Sequence, residues 1–145
     1  MKNVGKMGIL LTAILLLAAL CLTAGAAEVL EIKEKMFLQQ CMDVIFNTDE
    51  YVGKTIKLEG IYKTFRYQIG DEMRVSHFVY RNSPGCCGDD GMAGFEVLLE
   101  SFPAPEQEAW VEATGKVEVN NVGMPVLRLS SLKVMETRGA EFVRQ

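Results

Sequence analysis

"TIKLEGIYKTF", residues 55–65, decides the fold class. Ile56 and Leu58 alternate with Lys57 and Glu59, the period-two pattern of a strand with one buried and one wet face. Gly60 interrupts the run, and the phase is expected to shift there so that Ile61 becomes the next apolar residue. A glycine within a strand pattern marks a bulge or a sharp bend. "WVEATGKVEV" (110–119) repeats the device, with Val111, Ala113, Val117 and Val119 alternating around Gly115. Two strands with central glycines can coil enough to serve both halves of a closed sheet.

Three further segments carry strand signals: Met73–Arg81, Phe95–Glu100 and Val126–Met135. Turn-rich stretches separate them, including "RYQIGDE", "SFPAPEQEA" and "NNVGMP". We therefore expect an all-β chain with minor helix, built as a small five-stranded OB-like barrel over residues 55–145. A short strand or helix segment at 27–54 is expected to precede the barrel and pack on it. Within that segment, "CMDVIFNTDEYVGK" reads as turn-rich. The closing "ETRGAEFVRQ" reads as a tail against the sheet edge.

Ahead of these segments, Lys2 and Lys6 precede an apolar run, Met7–Thr23, closed by Ala24-Gly25-Ala26. That is the three-part pattern of a secretory signal peptide, expected at 1–26, and it places the domain outside the cytoplasm, secreted or envelope-associated. Cys21 is the acceptor that a lipoprotein signal would need, but Leu20 before it is a poor fit; membrane anchoring is expected only if Cys21 is lipidated. Removing Lys2 and Lys6 takes the net charge from −4 to −6. An acidic domain lacks the clustered cations that phosphate backbones require, so no nucleic acid partner is expected.

"YRNSPGCCGDDGMAGFEV" (80–97) holds the chemistry. Zinc takes Cys, His and carboxylate ligands, usually with cysteines two to four residues apart. Adjacent cysteines in an extended chain point to opposite faces, but glycines at 85 and 88 allow a turn in which both sulfurs converge. Candidate metal ligands are Cys86, Cys87, Asp90, Asp89, His77 and Cys41, with zinc the candidate ion and no other cofactor implied. His77 lies on the strand leading into the loop, about 30 Å of extended chain from Cys86, and reaches it only if the loop folds back.

Two other readings stay open. An exported chain tolerates disulfides, so Cys41 could pair with Cys86 or Cys87, or the vicinal pair could close into a strained, easily reduced bridge. Alternatively the cysteines pack as small apolar residues while Gly and Asp make the turn. The regular oxygen spacing of a calcium loop is absent.

Aromatic and basic residues also gather on the first two strands: Tyr62, Lys63, Phe65, Arg66, Tyr67, Arg74, Tyr80 and Arg81. OB barrels use such a face for oligonucleotides or oligosaccharides, so an envelope glycan or peptide is a further candidate ligand, against core aromatics with a solvated face. No hydrolase motif or phosphate loop occurs, and catalysis is not expected.

Taken in order, "EYVGKTIKLEGIY", "GCCGDDGMAGFEV" and "WVEATGKVEV" resemble an uncharacterised family of bacterial cell-envelope proteins, over roughly Ile32 to the C-terminus. The resemblance implies an OB-like β domain with a paired Cys-Cys…Asp motif. It also implies, in some members, a membrane permease as partner, and it brings no reaction.

Overall fold

The computed structural model describes residues 28–144. The expected signal peptide, 1–26, and Cys21 with it lie outside the described residues. The chain opens with β1 (Val29–Ile32), a single 3-10 turn (Glu34–Met36), α1 (Phe37–Phe46) and α2 (Thr48–Tyr51). Five longer strands follow: β2 (Thr55–Ile69), β3 (Glu72–Gly85), β4 (Gly88–Leu98), β5 (Trp110–Val119) and β6 (Pro125–Val134).

Antiparallel pairing joins β2 to β3, β3 to β4, β5 to β6 and β2 to β5, while β4 meets β6 in parallel. The five strands thus close on themselves into a small OB-like barrel. β1 lies outside this ring, parallel to the start of β2 from Val29↔Thr55 to Ile32↔Leu58. The β2 strand does serve both halves of the barrel: Thr55–Ile61 pairs with β5 and Ile61–Ile69 with β3. The handover falls at Ile61, and at the adjoining Gly60 a Cβ would sit 2.6 Å from the Tyr80 carbonyl oxygen, so no side chain fits. In β5 the matching device is a register shift between Thr114 and Gly115.

The expected phase shift at Gly60 does not occur. Ile56, Leu58 and Tyr62 all belong to the central core, so the even positions keep facing inward. Ile61 faces outward, where pairing brings Trp110 and Tyr80 onto the same face and the three bury one another. It is buried because a second, smaller cluster covers the outer face.

Two segments read as loops are regular structure. "RYQIGDE" continues the β2–β3 ladder from Arg66↔Val75 to Ile69↔Glu72, leaving only Gly70 and Asp71 as the turn. The ribbon is exposed here, Tyr67 and Ile69 included, and backbone pairing needs no apolar face. The turn-rich reading of Cys41–Phe46 also gives way, since these residues complete α1. Phe37, Cys41 and Val44 recur at helical spacing and all three are fully buried in the barrel core. Burying side chains of this size contributes about 1.5–3 kcal/mol each, enough to override weak local turn preferences.

Candidate metal centre

The β3–β4 hairpin projects the cysteines at its tip. Gly85 pairs with Gly88, so Cys86 and Cys87 are the two residues of the connecting turn. Gly88 sits at φ +135°, a conformation open to glycine alone at little cost. Both side chains are exposed, and their Sγ atoms lie 3.4 Å apart.

A register irregularity brings in the third donor. Between Ser83↔Gly91 and Gly85↔Gly88 the chain advances two residues on β3 and three on β4. Such a bulge re-aims side chains, and Pro84, which has no N–H to offer the ladder, sits opposite it. The Asp90 carboxylate folds back over Gly85, where a Cβ would fall 2.1 Å from Oδ1. Gly85 therefore acts through the space it leaves; the turn freedom expected of both glycines is used at Gly88 alone, since Gly85 ends β3 without a positive φ. One donor atom each from Cys86, Cys87 and Asp90 lie within 4.8 Å of one another, all three residues exposed. Two thiols and a carboxylate are a donor set that borderline and soft cations accept.

The remaining candidates are elsewhere. Asp89 is turned away from the cluster, its Oδ2 accepting from Arg144 Nη2 at 3.4 Å. His77 stays on β3, which runs unbroken to Gly85, about 26 Å along the strand at eight rises of 3.3 Å. The loop does not fold back, so His77 does not join the sulfurs. Its Nδ1 lies 2.7 Å from the Tyr62 hydroxyl and 3.2 Å from Thr64 Oγ1, and its ring stacks on Tyr62. Burial lowers its pKa, with the Glu96 carboxylate acting in the opposite direction. Cys41 is enclosed in the core on α1, where burial pushes its thiol up to about 12. It reaches neither Cys86 nor Cys87, and all three described cysteines are free thiols.

The aromatic and basic group is divided in the same way. Tyr62, Tyr80 and Arg81 are buried, and Phe65 packs edge-on against Phe78 at 5.4 Å. Arg81 is enclosed by Phe37 and Trp110, and it donates to the Glu59 and Ala140 carbonyls and to Glu34.

The C-terminal tail lies against β3, as expected of it, but sequence reasoning missed its reach to the cysteine loop. Phe142 bridges to Asn82 on β3, Val143 is buried, and Arg144 reaches the loop. The signal was the apolar pair Phe142–Val143 within an otherwise polar tail.

Residues 18–143 match the model of the DUF1980 C-terminal domain. The chain belongs to this family. The DUF1980 match takes in every described strand and the whole Cys86–Cys87 hairpin, in keeping with the uncharacterised family and OB-like domain that the three motifs led us to expect. No curated protein matches the chain. Among solved structures, the crystal structure of a small single-stranded DNA-binding protein from Streptomyces coelicolor is similar, with a TM-score of 0.40 and 12% identity. The similarity covers 60% of this chain and 97% of that one.

Proposed function

We propose that this DUF1980 domain is a non-catalytic binding module whose β3–β4 hairpin captures a divalent cation such as zinc. The observation that carries the reading is the convergence of two thiols and one carboxylate, within 4.8 Å, on an exposed tip. Zinc–sulfur and zinc–oxygen bonds of about 2.0–2.3 Å fit inside such a cluster after small side-chain adjustments. The barrel core is complete without the cluster, because α1 and the strands fill it with apolar side chains. The ion is therefore cargo held at the surface, unlike the metal of a small domain that folds around it.

Export and cooperation with a membrane permease complete the proposal. They rest on the leader-like N-terminus and on the resemblance carried by the three motifs, and an exposed site suits an ion passed between proteins. The test is bound metal in the reduced protein after zinc reconstitution and gel filtration. We expect one equivalent, lost in Cys86→Ser and Cys87→Ser and weakened in Asp90→Asn. Zinc content that is negligible, or unchanged in both cysteine variants, overturns the reading.

The 3.4 Å separation of Cys86 and Cys87 Sγ favours one second reading, a redox pair that closes into a vicinal bridge by thiol–disulfide exchange, its two electrons and two protons passing to a disulfide on another protein, which is reduced to two thiols. Adjacent Cα atoms are about 3.8 Å apart, shorter than ordinary disulfide spacing, so that bridge is strained and readily reduced. Intact mass before and after thiol alkylation separates the two readings.

A further inference from the structure

A cation bound at the hairpin tip has three donors from the described residues, while zinc-like ions take four. The other candidates do not supply the fourth donor: His77 lies about 26 Å away along β3, Cys41 is enclosed in the core, and Asp89 pairs with Arg144. The fourth direction faces solvent, since Cys86, Cys87 and Asp90 are all exposed. Resting on the ion-binding reading above, we propose that this fourth position is where a partner protein engages the ion, through the neutral imidazole of a histidine.

Charge decides the donor type. Two thiolates and the Asp90 carboxylate around a divalent cation already leave a net charge of −1. Asp89 adds another negative charge beside the site, offset by Arg144. A fourth thiolate or carboxylate brings a further negative charge to a crowded anionic tip; neutral imidazole brings none. In the step itself the ion–nitrogen bond forms as an ion–water bond breaks. The water leaves intact, and neither electrons nor protons are transferred. Exposure of the whole tip allows this without movement of the barrel. The hairpin is thus an exchange point for a cation, with release following when further partner donors replace Asp90 and the thiolates.

The experiment uses the full chain, reduced and loaded with cobalt(II), whose visible absorption bands report ligand type and number. Imidazole is the probe. We expect a saturable shift of the d–d bands fitting one imidazole per cobalt, with the thiolate-to-cobalt charge-transfer band retained. The same shift is expected in Asp89→Asn and in Cys21→Ser. Bound cobalt with no imidazole response overturns the inference and leaves the ion-binding reading standing. A response seen only in Asp89→Asn or only in Cys21→Ser also overturns it, because that residue then fills the fourth position from within the chain. Loss of the charge-transfer band shows that imidazole strips the ion, which is equally contrary. Failure of cobalt to bind at all removes both readings.

Discussion

Arg81 donates from Nη1 to Glu34 Oε2 at 3.1 Å, and this contact joins the centre of β3 to the turn that precedes α1. The arginine side chain is almost wholly buried while Glu34 keeps about half its surface in water. Ala140 completes the junction, its N–H donating to the same Glu34 oxygen and its carbonyl accepting from Arg81. N-terminal segment, barrel and C-terminal tail meet at one guanidinium.

Arg81→Met is expected to destabilise the domain by on the order of 3 kcal/mol, because it leaves the Glu59 and Ala140 carbonyls without their donor in a buried place. Glu34→Gln keeps a hydrogen-bonding group in partial contact with water and is expected to cost about 1 kcal/mol or less. Urea midpoints at neutral pH measure both. Equal losses for the two variants contradict this account.

The same junction has a pH signature. The Ala140 N–H and then the Arg81 guanidinium hold the Glu34 carboxyl below its ordinary value of 4.5. As pH falls, the unfolded chain takes up this proton before the folded one does. The contribution is therefore fully present above about pH 4.5 and is lost as pH drops through the folded value. Wild type and Glu34→Gln should converge in stability between pH 5 and 3, followed by urea titration at each pH. A gap that stays constant over that range rules the linkage out.

Phe37 anchors α1 in the barrel core, fully buried and under the Arg81 guanidinium at 4.7 Å. Phe37→Ala is expected to cost about 3–5 kcal/mol, and Phe37→Leu, which refills most of the volume, under about 1.5 kcal/mol. A small effect for the alanine variant means that α1 is not part of the cooperative core.

Thiol reactivity should divide by environment. Cys86 and Cys87 are exposed at the tip, whereas Cys41 is buried with its thiol pushed up to about 12. At pH 8 iodoacetamide is expected to modify Cys86 and Cys87 in the native protein and Cys41 only in denaturant. Peptide mass mapping assigns each site. Fast native modification of Cys41 refutes its placement in the core.

Gly85 tests how the third donor is positioned. A methyl group there collides with the Asp90 carboxylate and crowds the Gly91 backbone nitrogen of the same bulge, so Gly85→Ala should lower zinc affinity about as much as Asp90→Asn, roughly 10–100-fold by analogy with residues that orient metal ligands. Thermal stability should change far less than in Phe37→Ala. Unchanged zinc affinity in Gly85→Ala, measured by competition with a chromogenic chelator, shows that Asp90 needs no such space.

Much of the barrel was legible in the sequence because alternation is local. Ile56, Lys57, Leu58 and Glu59 announce their two faces within four residues, and Gly60 adjoins the point where β2 passes from one neighbour to the other. The pairing of Cys86 with Cys87 across a glycine turn was also a local matter. Helix α1 was obscured because Asn47, Thr48 and Asp49 just beyond it are strong turn formers. Its stripe of Phe37, Cys41 and Val44 acquires meaning only against a barrel core.

Tertiary structure alone decided the rest. Ile61 is buried on the outer face because distant Trp110 lies across from it in the β2–β5 ladder. His77 and Cys41 are kept from the sulfurs by an unbroken strand and a packed helix, while a single-residue bulge swings Asp90 toward them. Residue type and spacing determine which donors a chain possesses. Pairing register, bulges and the space left by a missing Cβ determine which donors meet, and those depend on strands far apart in sequence.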